Sequence, residues 1–360
     1  MAPAPVRFAV VGLGDIAQRA VLPAFAHARR RATLAALVSG EPKKRRVLGA
    51  RFKGVIACGY DDYDELLASG AVDAVYIALP NEMHADFALR AMRAGIHVLC
   101  EKPMATTVAD ARAMRVAAQR SGVQFMVAYR LHFDPATLKA IDQARDRRAG
   151  ELRIFASVFS SPVERGDIRL TREGRGGLFD LGIYCVNAAR MVFRTEPTEV
   201  MAMHAGPGTG RFREVPEMTA ALLRYPGERI AMFTCSLNAY RGSSWTAVAM
   251  KRLVRMEPAY SYHEKLVVQV KTDTATRTRR FGLHDQFAAE FDHFVARIRS
   301  GRKAEPSARE GEADVRILDA IDRSARTGRR VKLRAVPRDE LPTRREARSH
   351  PPVGAARIVK

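Results

Sequence analysis

Three side chains in this 360-residue chain are of types, and at spacings, that could move protons. Lys102 ends the run Cys100-Glu101-Lys102-Pro103, at the close of a short apolar strand pattern and just before a proline that restricts the backbone. A lysine there can donate to a substrate hydroxyl and stabilise alkoxide character as hydride leaves; the competing reading is a surface lysine. Asp180 and Tyr184 close the run Gly174-Arg175-Gly176-Gly177-Leu178-Phe179-Asp180-Leu181-Gly182-Ile183-Tyr184. If a helix begins near Asp180, the two stand at i and i+4, Asn187 follows at i+7, and Leu181, Ile183, Val186 and Ala189 form the packing face. A tyrosine beside a lysine can exchange a proton with a hydroxyl, and Asp180 can orient either the lysine or that hydroxyl. From spacing alone, a helix N-cap carboxylate and a packed tyrosine explain the pair equally well. His84, in Leu79-Pro80-Asn81-Glu82-Met83-His84, falls on the first turn of a helix, where capping or packing is commoner than catalysis.

The elements that must position these residues read as two patterns. Up to residue 128, strands near Arg7–Val11, Leu34–Val38, Ala74–Leu79, Val98–Cys100 and Gln124–Val127 alternate with helices near Ile16–Ala28, Tyr63–Ala68, Met83–Ala94 and Val108–Ser121. Strand-helix alternation predicts an α/β domain with a doubly wound parallel sheet, which holds its ligand at the carboxyl ends of its strands. From 129 to 333 a helix near Pro135–Arg145 is followed by longer strands at Leu152–Phe159, Glu199–His204, Met218–Arg224 and Ile230–Leu237. A helix near Leu181–Phe193 interrupts them, and helices near His284–Ser300 and Ala308–Arg326 close the domain. That pattern predicts an α+β domain on a large, mostly antiparallel open sheet. Residues 334–360 are basic, contain Pro337, Pro342, Pro351 and Pro352, and read as a flexible, solvated tail.

The first strand runs into Gly12-Leu13-Gly14-Asp15-Ile16-Ala17, a GxGxxA turn that opens a helix. Gly12 permits the tight turn, Gly14 lets backbone approach a pyrophosphate, Ala17 permits close helix packing, and the helix start offers free N–H groups. A dinucleotide site follows. At the end of the second strand, where NAD enzymes carry an acid for the ribose hydroxyl, this chain has Ser39-Gly40, then Lys43, Lys44, Arg45 and Arg46. A small hydroxyl residue beside cations suits a 2′-phosphate, so NADP is expected, with NAD possible; an exposed basic helix start, with Glu41 in it, is the alternative.

Composition bounds the rest. Sixty Lys and Arg against 39 Asp and Glu give a net charge of +21, dispersed and without an aromatic-interleaved basic run, so nucleic-acid binding is not expected. The four cysteines, Cys58, Cys100, Cys185 and Cys235, stand singly, and neither a disulfide framework nor a metal site is expected. No apolar run of about eighteen residues occurs, and Met1–Val11 does not read as a leader; a cytoplasmic protein without a membrane partner is expected.

Together these motifs resemble the glucose-fructose oxidoreductase, inositol dehydrogenase and rhizopine-catabolism (Gfo/Idh/MocA) family, in order and spacing, across roughly Val6–Val331. They are Gly12–Ala17, Pro80-Asn81 with His84, Glu101-Lys102-Pro103, and Asp180 with Gly182. The glucose-fructose oxidoreductase branch is the nearest, through Ala36–Gly40 with Lys44, Tyr129-Arg130 with Asp134-Pro135, Asp180–Tyr184, and Asp314-Val315-Arg316 with Ala325–Gly328. The resemblance implies that Ser39, Gly40 and Lys44 contact the 2′-phosphate, with Gly12, Gly14, Asp15 and Ile16 at the phosphates. It adds Leu79, Pro80, Asn81, His84, Glu101, Arg130 and Arg169 as further cofactor contacts. It makes Lys102 the lysine beside nicotinamide and sugar, Tyr184 the proton-transfer residue, Asp180 its partner, and Tyr129 a residue bordering the cleft. Arg175 interrupts the glycine run, and Ile168 stands where an aromatic is expected. The implied activity is hydride transfer between NADP and a sugar or polyol, without a metal. A keto-sugar or anhydro-sugar reductase, a dihydrodiol dehydrogenase and a non-enzymatic NADP or sugar sensor are the alternatives. Apolar residues on both faces of Met218–Arg224 and Ile230–Leu237 fit a homodimer or homotetramer.

Overall fold

The computed structural model describes residues 3–336, 341–354 and 356–360; Pro337 of the expected tail lies outside them. The first sheet contains β1 (Val6–Val11), β2 (Ala32–Val38), β3 (Ile56–Cys58), β4 (Ala74–Ile77), β5 (His97–Glu101) and β6 (Phe125–Ala128). Their order is β3-β2-β1-β4-β5-β6 and every pairing is parallel. The flanking helices are α1 (Leu22–Ala28), α2 (Pro42–Arg51), α3 (Tyr63–Ala68), α4 (His84–Arg93) and α5 (Val108–Ser121). The central strands are apolar on both faces because helices cover both, and β4 is buried throughout. Two elements carry no such signature. The edge strand β3 is largely exposed, and α2 buries only Leu48, so neither has an apolar face that a sequence pattern would reveal.

The second domain holds α6 (Pro135–Ala144), β7 (Leu152–Ser160), α7 (Ile183–Phe193), β8 (Glu199–Ala205), β9 (Met218–Tyr225) and β10 (Arg229–Ser236). It continues with β11 (Gly242–Ala249), β12 (Arg252–Met256), β13 (Val267–Lys271), β14 (Thr276–Arg280), α8 (Gln286–Ser300), α9 (Ala308–Thr327) and β15 (Val331–Lys332). Its nine strands run β14-β13-β12-β11-β7-β10-β9-β8-β15, antiparallel except for the central β7–β10 pair. Strand β14, Thr-Arg-Thr-Arg-Arg, is exposed throughout; backbone pairing with β13 defines it, not an apolar pattern.

Helix α7 lies on one face of this sheet, and Arg190 on it is wholly buried among Glu196, Glu310 and Asp314. The other face exposes Ile154, Val158, Met201, Met203, Leu222, Ile230 and Met232. Register places several of these side by side, Ile230 opposite Ile154 and Leu222 opposite both Met232 and Met201.

Two late helices return to the first sheet. On α8, Phe291 packs edge-on to Phe8 at 5.1 Å and against Phe25 at 4.5 Å, so a helix that follows the second sheet in sequence covers a face of the first. Helix α9 runs between α5 and β8. Residues expected as a solvated tail instead lie along the body: Arg348 N–H donates to the Phe133 carbonyl at 3.0 Å, and Val359 is buried. The physical reason is that this segment's backbone completes hydrogen bonds that neighbouring elements leave open.

Candidate active site

The phosphate loop is built as its glycines require. Gly12 has φ +93°, and a Cβ there would lie 2.4 Å from the Ala78 carbonyl oxygen, so only glycine fits between β1 and β4. A Cβ on Gly14 would meet no atom within 4 Å, which leaves open space above the loop. That space, beside the unpaired N–H groups of a helix start, is a cradle of the kind a pyrophosphate fills. The helix starts at Asp15 and passes through a π-helical turn, Ala17–Val21, before α1. Asp15 is exposed and paired with Arg19 at 2.7 Å, and Ile16 is half-buried.

At the end of β2, Ser39 is buried and its hydroxyl accepts the Glu41 N–H at 3.2 Å. Arg45 donates to the Ser39 carbonyl at 2.6 Å. Lys44, expected to be free for a phosphate, is held by Glu41 at 2.6 Å. A Cβ on Gly40 would lie 2.9 Å from the Tyr60 ring, which makes glycine the fitting residue there.

Across the cleft, Lys102 at the end of β5 meets the second domain. Its Nζ donates to Asp180 Oδ1 at 2.8 Å and to the Asp180 carbonyl at 2.9 Å, and lies 4.8 Å from the centre of the Tyr184 ring. All three residues are half-buried. Asp180 sits in a second π-helical turn, Leu178–Gly182, which precedes α7. Its other carboxylate oxygen accepts from Arg169 at 3.3 Å, and Asp167 holds Arg169 at 2.8 and 2.7 Å. Burial works against the Lys102 charge, but Asp180 and Tyr184 outweigh it and raise the ammonium above its ordinary value. Burial likewise opposes the Asp180 carboxylate, yet Lys102 and Arg169 hold it below the usual range.

Arg130, buried beneath this group, donates to the Tyr184 hydroxyl at 3.3 Å and to the Tyr260 carbonyl at 2.6 Å, and also bonds Gln286. Glu101 is buried: one oxygen accepts from Tyr76 at 2.8 Å, the other from the Lys102 N–H at 3.2 Å, so its carboxylate fixes the strand end that presents the lysine. Glu290 on α8 is wholly buried near it, and burial with the Glu101 charge favours its neutral acid.

The sequence-expected residues thus separate. Lys102, Asp180, Tyr184, Arg130 and Arg169 converge. Asn81 bridges the domains, donating to the Gly174 carbonyl at 3.2 Å, while Leu79 is buried and Pro80 half-buried. His84 is wholly buried with its ring nitrogens 2.8 and 2.9 Å from the carbonyls of Pro103 and Leu79. It ties two strand-end loops together and offers no surface to a cofactor, which corrects the expectation of direct contact. Tyr129 is buried, stacked on His132 at 5.4 Å, in the lining behind Tyr184. Asn187 leaves the expected polar stripe for the core, where it bonds His132 and Asp314 at 2.8 Å each. Arg175 adopts φ +62° with its guanidinium 4.4 Å from the centre of the Phe179 ring, and Ile168 is exposed. Asp167, Gln286, Tyr260 and Tyr262, the last with its ring 5.2 Å from the Arg130 guanidinium, were not foreseen: the last three come from segments 130 or more positions from Arg130, and Asp167, two residues before Arg169, belongs to no motif.

Residues 6–129 match the family model described as oxidoreductase family, NAD-binding Rossmann fold, and residues 137–252 match the GFO/IDH/MocA C-terminal domain. An uncharacterized oxidoreductase of Rhizobium meliloti is 31% identical over 90% of this chain and 98% of its own. A D-xylose 1-dehydrogenase [NADP(+)] of Haloarcula marismortui is 28% identical over 91% and 93%. Among solved structures, the aldose-aldose oxidoreductase from Caulobacter crescentus, complexed with glycerol, superposes with a TM-score of 0.86 at 34% identity, covering 91% of this chain and all of that one. The arrangement of a parallel dinucleotide-type domain and an open-sheet domain around one lysine-centred cleft therefore has its counterpart in sequence: the chain belongs to the Gfo/Idh/MocA family of NAD(P)-dependent oxidoreductases.

Proposed function

We propose that this oxidoreductase uses NADP to interconvert a hydroxyl and a carbonyl on a sugar or sugar-like polyol, an aldose in the first instance. The observation that carries the reading is the Lys102 ammonium, held by Asp180 at 2.8 Å over the Tyr184 ring, at the carboxyl end of the sheet that also presents the Gly12–Gly14 cradle. The donor set fits a nicotinamide dinucleotide: Gly14 backbone and the helix start for the pyrophosphate, and Ser39, Lys44 and Arg45 for a 2′-phosphate, with no carboxylate at position 39 to repel it. When bound, that cofactor supplies the hydride acceptor or donor.

The protein's part is proton handling. In oxidation Tyr184 takes the substrate hydroxyl's proton in its phenolate form and becomes the neutral phenol, and Lys102 donates a hydrogen bond to the substrate oxygen as it gains alkoxide character. Reduction reverses both. Asp180 keeps Lys102 charged and aimed, Arg169 keeps Asp180 charged, and Arg130 fixes the Tyr184 hydroxyl. The activities named for the Haloarcula and Caulobacter relatives support an aldose over other alcohols.

The test is a panel of aldoses, ketoses and polyols, followed by reduced-nicotinamide absorbance with NADP and NAD in parallel, on the native protein and Lys102→Ala. Turnover on at least one sugar, with kcat falling about 10²–10⁴-fold in the variant, is expected. Absence of turnover on every sugar and polyol would overturn the substrate class, and equal turnover in Lys102→Ala would overturn the mechanism.

A further inference from the structure

The helix that follows the phosphate loop is held by a part of the chain more than three hundred residues away. Gln18 is 3% exposed, and its side-chain amide is used at both ends. Its Nε2 donates to the Leu13 carbonyl at 2.9 Å and to the Val359 carbonyl at 3.0 Å, while its Oε1 accepts the Val359 N–H at 2.7 Å. Leu13 stands between the two loop glycines and is 2% exposed, so its carbonyl has little water to turn to if Gln18 moves. The Val359 side chain is buried in the same apolar cluster as Leu13 and Ala17.

The same segment reaches the far end of the helix that follows the second strand. The Arg357 carbonyl accepts from Arg51 at 3.0 Å, and Arg51 is the last residue of α2, the helix that starts just beyond Ser39-Gly40. Further back, the His350 carbonyl accepts the Asp285 N–H at 3.1 Å, its ring lies 2.9 Å from Asp292 on α8, and Arg348 N–H meets the Phe133 carbonyl where the second domain begins. Residues 341–354 and 356–360 therefore connect that junction, the phosphate-loop helix and α2.

We propose that residues 356–360, acting through Gln18, are a positioning strap that holds the phosphate loop and α2 in their cofactor-ready arrangement. The inference rests on the dinucleotide site proposed above and adds its support from behind. A loop ordered before binding loses less freedom on binding, so the strap acts on cofactor affinity and leaves the hydride step alone. Among the described residues, the Gln18 side chain and the backbones of Arg357 and Val359 bond to Leu13, Arg51 and each other and not to Lys102 or Tyr184, so turnover of the loaded protein is independent of the strap.

Three substitutions in the full chain separate this role from packing. Val359→Pro removes the N–H that Gln18 accepts and keeps an apolar side chain. Val359→Ala trims the buried side chain and keeps both backbone groups. Gln18→Glu sets an oxygen against two carbonyls. NADPH affinity by fluorescence titration, KM for NADP, kcat and thermal melting are measured on each.

Val359→Pro and Gln18→Glu are expected to raise Kd and KM about tenfold, the worth of a buried hydrogen bond, with kcat within about twofold of native. Val359→Ala is expected to melt earlier with Kd unchanged. Native-like Kd in both Val359→Pro and Gln18→Glu overturns the strap, and so does an equal rise in Val359→Ala and Val359→Pro, which would mean packing alone. Failure of the native protein to bind NADPH at all overturns the cofactor site itself, a result distinct from either.

Discussion

Asp180→Asn preserves the shape of the side chain and removes its charge, which isolates what that charge does to Lys102. In the native protein burial disfavours the ammonium, and Asp180, in contact at 2.8 Å, is the first of the groups that reverse the balance. An opposite charge at such a distance moves a titrating group by about 1–3 pH units. Unit charges 4 Å apart attract by about 4 kcal/mol at an effective dielectric near 20, an upper limit for a pair that still touches solvent. With residue 180 neutral, burial dominates, and Arg169, left 3.3 Å from the altered group, adds a repelling cation. Both effects lower the lysine's pKa.

The sign follows for activity. A step that needs the ammonium is present below the lysine's folded-state pKa and is lost as pH rises through it. The alkaline limb of the kcat profile for NADPH-dependent carbonyl reduction is therefore expected to move downward by about 1–3 units in Asp180→Asn. The assay is kcat against pH with saturating NADPH and carbonyl substrate, native and variant in the same buffers. An alkaline limb that stays in place, or moves upward, would refute the assignment of Asp180 as the group that keeps Lys102 charged.

Ser39→Asp places a carboxylate where a 2′-phosphate is proposed and should lower the NADP-to-NAD ratio of kcat/KM by at least about tenfold; an unchanged ratio contradicts the NADP assignment. Arg190→Met strands the buried carboxylates of Glu196, Glu310 and Asp314 and should cost about 3–5 kcal/mol in urea unfolding, with a loss below about 1 kcal/mol counting against their dependence on it. Burial pushes the Glu305 carboxyl up to about 7, so its acid form stabilises the fold at low pH and that contribution fades as pH rises from the ordinary glutamate range through 7; Glu305→Gln should flatten this fall in melting temperature, and an unchanged slope would contradict it. The apolar face around Leu222, Ile230 and Met232 predicts a dimer or tetramer by light scattering at micromolar protein, dissociated by Leu222→Glu with Met232→Glu; a monomeric native protein would remove that proposal.

Periodicity was enough to locate the parallel sheet, because its strands are buried on both faces and its helices have one apolar side. Helices α3 and α5 begin and end at the residues their pattern predicts, whereas α2 and β3, nearly without buried residues, left no trace. The GxGxxA turn and the Lys102-Pro103 strand end were legible for a related reason: each is local, and its chemistry lies in consecutive residues. Their meeting was not. Lys102 reaches Asp180 across 78 positions, and Arg130 reaches Tyr184 across 54, so spacing alone left a helix cap and a packed tyrosine as good as a reacting centre.

What the sequence determined by itself was the class of the first domain, the phosphate loop and the residue types available for chemistry, since these depend on local backbone preference and apolar periodicity. Tertiary structure decided which of those residues share a cleft. It turned His84 inward to two carbonyls and gave Asn187 to the core, whereas the pairing of Lys44 with Glu41, three residues away, is local. It also laid residues 356–360 behind the phosphate loop, where composition had indicated only a solvated tail. The placements of Asn187 and of residues 356–360 rest on hydrogen bonds between segments distant in the chain, and no single stretch of sequence contains both partners.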